Sequence, residues 1–89
     1  MTVKIRYSEK AVKQLRRISK GDKRSVARIM EYIEAYAANP RGKFDLKILK
    51  GKYGDFKRLR IGDYRIMFED DAEKMLVYEI RHRQEAYHD

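Results

Sequence analysis

The chain has 89 residues, no cysteine, and 40% charged against 43% hydrophobic residues. That is apolar material for one thin core and a single domain over 1–89, and it excludes disulfides, thiolate metal sites and thiol nucleophiles. No stretch approaches the roughly 20 apolar residues of a membrane span and no signal-peptide core follows Met1, so a cytoplasmic protein is expected.

The net charge of +8 is unevenly spread. Residues 1–20 carry seven basic groups against one acidic, and residues 41–67 nine against three. Residues 68–80 swing to one basic against five acidic. Clustered Lys and Arg displace counterions from phosphates, so two basic segments in so small a protein point to a polyanion partner.

In chain order, Val3, Ile5 and Tyr7 alternate with Lys4 and Arg6, the period of a half-buried strand. Ser8 can cap a helix over 9–20, whose apolar stripe is Ala11, Val12, Leu15 and Ile18. Asp22 can cap a second, with Val26, Ile29, Met30, Ile33 and Ala37 at helical spacing, and Asn39-Pro40 stops it. Residues 41–55 read as a loop with a short extended piece, Leu46–Leu49. The spacing Gly51-Lys52-Tyr53-Gly54 marks a turn; the helices that flank such a GxxG in an RNA clamp are missing. Phe56–Ile61, Tyr64–Glu69 and Met75–Ile80 have strand alternation. The order β-α-α-β-β-β predicts an α+β domain, a helical hairpin packed on one face of a small antiparallel sheet with an open basic face opposite.

Gly62-Asp63 leaves two residues between two strands, a tight-hairpin signal. Ile61 then pairs with Tyr64, and counting outward Arg60 meets Arg65, Leu59 Ile66, Arg58 Met67 and Lys57 Phe68. Leu59, Ile61, Tyr64, Ile66 and Phe68 share the core face, and Arg58, Arg60 and Arg65 the other. If Phe68 pairs with Leu76, then Leu76, Tyr78 and Ile80 join the core face, Arg65 lies opposite Glu79, and Arg81 follows one step on. Like charges across a ladder cost a few tenths to about 1 kcal/mol, so the arginines are placed there for something other than stability. Guanidinium forks suit phosphate, each able to bind two oxygens.

No P-loop lysine follows the glycines, and His82 and His88 lack the further ligands of a zinc site, so neither metal nor cofactor is expected. Ser8, Ser19 and Ser25 read as caps or exposed helix positions rather than nucleophiles. The tail from His82 to Tyr87 follows the last strand and can fold over the open face. Tyr87 there could stack on a base, move a proton, or simply pack.

These pieces together resemble the RelE/ParE superfamily of type II toxins, and within it the RelE-like branch. The resemblance rests on Tyr7-Ser8-Glu9-Lys10-Ala11 with Leu15, on Leu49-Lys50-Gly51, on Phe56 through Phe68, and on Ile80-Arg81-His82-Arg83 with Tyr87. It implies a ribosome-dependent endoribonuclease that cuts mRNA in the ribosomal A site, and an acidic antitoxin partner that silences it. By position it implies catalytic roles for Arg58, Arg60, Arg65, Arg83 (with Arg81 a competing match) and Tyr87, and RNA or ribosome contacts for Lys50, Lys52, Lys57, Arg81 and His82. The best-known members carry lysines where this chain has Arg58 and Arg60, and an arginine holds its proton too tightly to be a base. Glu79, His82 and Lys52 are the substitutes for that step. A ParE-like inhibitor of DNA gyrase and a non-catalytic RNA-binding module are the alternative functions.

Overall fold

The computed structural model of the protein describes residues 3–51 and 54–83. Its elements run β1 (Lys4–Tyr7), α1 (Glu9–Gly21), α2 (Lys23–Ala38), β2 (Leu46–Gly51), β3 (Gly54–Ile61), β4 (Tyr64–Asp70) and β5 (Lys74–His82). Both helices start where a side-chain oxygen meets the orphan amides of a first turn. Ser8 Oγ accepts from the Ala11 amide at 3.0 Å, and Asp22 Oδ1 from the Ser25 amide at 3.1 Å. Ser8 also donates to the Tyr78 carbonyl at 2.5 Å, which ties the start of α1 to the last strand. No described helix is long and apolar enough to cross a membrane.

The five strands form one sheet in the order β1-β5-β4-β3-β2, with the two helices packed on one face. The α+β architecture is the expected one, with two differences. The piece expected inside a loop is a full edge strand, paired with β3 from Leu46–Leu59 to Gly51–Gly54. Its lysines keep the edge polar, which protects it from further pairing and also makes it read as a loop. In addition β1 runs parallel to β5, with Ile5 beside Met75 and Tyr7 beside Val77, so the sheet is mixed rather than antiparallel.

The β3–β4 hairpin has the expected register, from Ile61–Tyr64 to Lys57–Phe68. Gly62 opens its turn at φ +59°, a left-handed conformation that a Cβ would strain. The next pairing corrects the expectation. Phe68 pairs with Val77, not Leu76, and Ile66 with Ile80. Tyr78 and Glu79 thus oppose Met67 alone, a β-bulge that restores the inward phase two residues later. Met75, Val77 and Ile80 are buried, whereas Leu76 and Tyr78, expected on the core face, belong to the opposite one. Arg65 consequently meets Arg81 instead of Glu79.

The core lies between helices and sheet. Ala11, Ile29, Ile33, Tyr36 and Ala37 pack on Leu59, Ile61, Ile66, Phe68, Met75, Val77 and Ile80. The Tyr36 ring stands edge-on to Phe68 at 5.1 Å and to Phe44 at 5.4 Å, a favoured aromatic geometry.

Candidate functional site

Alternation along β3, β4 and β5 sends every second side chain away from the helices, and among the described residues no helix covers that face. The register stacks these side chains in rows. Arg60, Arg65 and Arg81 stand side by side across three strands. With strands about 4.8 Å apart, their stems start within about 10 Å of one another. The next row holds Lys47, Arg58, Met67 and the bulge pair Tyr78 and Glu79. Beyond it lie Leu49 beside Phe56, and Glu69 beside Leu76.

The rows differ in how they are held. Arg60 is exposed, while Arg58, Arg65 and Arg81 are half-buried. Arg58 Nη2 donates to Asp45 Oδ1 at 3.1 Å, and its Nε is buried with no hydrogen-bond partner. Arg81 Nε donates to Glu79 Oε1 at 3.0 Å, and Lys10 Nζ of α1 reaches the other oxygen at 3.0 Å. Burial pushes the Glu79 carboxyl up, but the bonds and charges of Lys10 and Arg81 outweigh it and hold the group below the ordinary range. Glu79 is therefore a firmly ionised partner of the arginine row and a poor proton acceptor. Arg83 closes the row at the hairpin turn, its amide donating to the Asp63 carbonyl at 2.6 Å and its guanidinium 3.8 Å from the Asp63 carboxylate.

The structure thus brings Arg58, Arg60, Arg65 and Arg81 onto one face with Arg83 at its end. Three other candidates lie elsewhere. Lys57 points to the helices, where Nζ donates to Asp70 Oδ1 at 2.7 Å while Tyr36 donates to Oδ2 at 3.3 Å. The Asp70 hydrogen bond raises the Lys57 pKa, which strengthens a cation and removes it as a base. His82 pairs with Tyr64, ring to ring at 5.2 Å, in a cleft with Gln14, Arg17 and Ile18 of α1. Lys50 alternates in phase with Leu46 and Ile48, whose partners Leu59 and Lys57 face the helices. Lys52 and Tyr87 lie outside the described residues.

Two side chains of the open face escaped sequence reasoning. Phe56 and Tyr78 meet edge to face at 5.6 Å, and the neighbouring Glu69 carboxylate, with burial, raises the Tyr78 phenol pKa. Phe56 shares the parity of Arg58 and Arg60, a signal the sequence carries. Tyr78 reaches this face through the bulge, which has no such signal. Among the described residues no group of three His, Asp or Glu is placed to hold a metal ion.

Residues 5–87 match the family model of the ParE toxin of the type II toxin-antitoxin system, parDE. No curated protein matches the chain. Among solved structures, the archaeal RelE in the RelE-RelB complex from Pyrococcus horikoshii OT3 is 26% identical, with 93% of this chain and 97% of that one covered at a TM-score of 0.74. YoeB from Staphylococcus aureus, solved as a dimer, is 18% identical over 92% and 98% of the two chains, TM-score 0.77. The E. coli DinJ-YafQ toxin-antitoxin complex matches at 9% identity over 94% and 96%, TM-score 0.74, a likeness of fold alone. With the family model spanning nearly the whole length and the same two-helix, mixed-sheet fold beneath it, the chain belongs to the RelE/ParE superfamily of type II toxin–antitoxin toxins.

Proposed function

We propose that this toxin is a ribosome-dependent endoribonuclease that cuts mRNA in the ribosomal A site. The observation that carries the reading is the row of Arg60, Arg65 and Arg81 on the uncovered face, closed by Arg83. Cross-strand like charges stabilise nothing, whereas converging guanidiniums stabilise the negative charge that gathers on a phosphate under attack. In the reaction the RNA 2′-oxygen bonds to the adjacent phosphorus as its proton leaves. The bond from phosphorus to the 5′-oxygen breaks, and that oxygen takes a proton. The arginine row supplies charge stabilisation, and Tyr87, by resemblance, a proton transfer or a stack on the codon. With Lys57 locked to Asp70 and Glu79 held ionised, the described face has no strong base of its own. Cleavage therefore leans on positioning by the ribosome, and free RNA is a poor substrate.

The partner in this reading is an acidic antitoxin segment, complementary to a chain of charge +8. The complexes of RelE with RelB and of YafQ with DinJ support it. A second reading, inhibition of DNA gyrase, is favoured by the match to the ParE family model. Inducible expression with mapping of mRNA 5′ ends and a parallel supercoiling assay separates the two. Cuts in A-site register with unchanged supercoiling are expected. Altered supercoiling without new mRNA ends would establish the gyrase reading instead.

A further inference from the structure

Beyond the arginine row the open face changes character. Four residues along β3, about 13 Å on, Arg60 gives way to Phe56. Around Phe56 lie Leu49, Tyr78, Leu76 and Glu69, a half-buried apolar patch edged by a carboxylate. Between patch and arginines, the charge of Glu79 is met by Lys10 and Arg81. A polyanion lying across the face is sorted by this difference: phosphates are drawn to the guanidiniums and away from Glu69, while an aromatic surface accepts a base.

We propose that Phe56, Tyr78 and Glu69 form a subsite for one unpaired RNA base beside the arginine row, selective for a base that carries an exocyclic amino group. The inference rests on the RNA-cleaving reading above and adds a specificity to it. Phe56 and Tyr78 meet edge to face, so the base stacks on the exposed part of one ring while the other braces it. The bulge matters here, because it turns Tyr78 out of the core phase and onto this face. Glu69 is exposed and stands beside Leu76 at the edge of the same patch. Its carboxylate is an acceptor for the amino groups of adenine, cytosine or guanine. Uracil presents a carbonyl oxygen at the corresponding edge, and two acceptors repel.

The test uses the full-length toxin with ribosomes programmed by synthetic mRNAs that differ in one nucleotide at each position around the cleaved bond. At one position the wild type should cut amino-bearing bases at least about fivefold better than uracil in kcat/KM. Glu69→Gln, which can donate as well as accept, should cut that preference to below about twofold at that position alone. Phe56→Leu should raise KM severalfold for every base at the same position while kcat holds. Circular dichroism checks folding, and if Phe56→Leu does not fold, the exposed Glu69→Gln carries the test. No base preference in the wild type, or an unchanged one in Glu69→Gln, overturns the subsite. A wild type that leaves every mRNA intact overturns the RNA-cleaving reading itself.

Discussion

On the face covered by the helices, β3, β4 and β5 contribute Leu59, Ile61, Ile66, Phe68, Met75, Val77 and Ile80, each 2% exposed or less. On the other face the same strands contribute Arg58, Arg60, Arg65 and Arg81. The first set removes apolar surface from water, at about 1.5–3 kcal/mol for each large side chain. The second opposes like charges, which costs up to about 1 kcal/mol for a pair. One ladder of backbone hydrogen bonds therefore carries stability on one side and a charge pattern on the other. Substitutions should separate the two, and the outcomes below run from the largest effect on stability to the smallest.

Phe68→Ala should strike hardest. It empties the space against Tyr36 in the middle of the core and should cost about 3–5 kcal/mol, read by urea denaturation. A cost below about 1 kcal/mol would mean that the covered face is not what holds the fold.

Asp70→Asn tests the charged pair on that covered face. The Asp70 carboxylate, 11% exposed, serves both Lys57 and Tyr36, and losing its charge should cost about 1–3 kcal/mol. The sign with pH follows from two raised values. The Asp70 hydrogen bond raises Lys57, and burial followed by the Asp70 charge raises Tyr36. Their contribution is complete below the ordinary tyrosine and lysine values and is lost as pH rises through the raised ones. Urea midpoints taken into alkali should fall less steeply in Asp70→Asn than in the wild type. Equal slopes would separate the trio from alkaline stability.

Glu79→Gln probes the open face more gently. Its carboxyl is held low by Lys10 and Arg81 against burial, so its contribution is present above the ordinary carboxylate value and lost as pH falls through the lowered one. At neutral pH the variant should lose no more than about 1 kcal/mol, and its stability should fall less steeply than that of the wild type as the pH is lowered, the two converging in acid. Equal slopes of stability with pH in the two proteins would contradict the role given to the Lys10–Glu79–Arg81 contact.

How much of this was legible in the sequence differs between the same two faces. The β3–β4 hairpin follows pair by pair from Gly62-Asp63 and a period of two, so three of the arginines could be placed on one face without a structure. The helix starts at Ser8 and Asp22 were legible too, because capping is local chemistry. The bulge was not. Met75–Ile80 alternates smoothly in sequence, and the extra residue at Tyr78 arises only from how β5 meets Met67. It moved Tyr78 and Leu76 to the open face and replaced an Arg65–Glu79 pair with Arg65 beside Arg81. The parallel β1–β5 pair joins segments about 70 residues apart, which no local pattern reports. The core-side direction of Lys57 also follows from its pairing with Phe68, whereas the Asp70 carboxylate that holds it there has no local signal. Tyr87 remains an expectation of the sequence, outside the described residues.

The smallest expected change in stability comes with the largest expected change in activity, at Arg65. It stands between Arg60 and Arg81, so Arg65→Ala removes two cross-strand repulsions at once. Cleavage of A-site mRNA and thermal unfolding should be measured on one preparation of this variant. The account predicts stability within about 1 kcal/mol of the wild type, unchanged or slightly raised, together with a loss of cleavage by orders of magnitude. A folded Arg65→Ala protein that cuts at the wild-type rate, or one destabilised by several kcal/mol, would contradict the claim that this row is held for RNA and not for the fold.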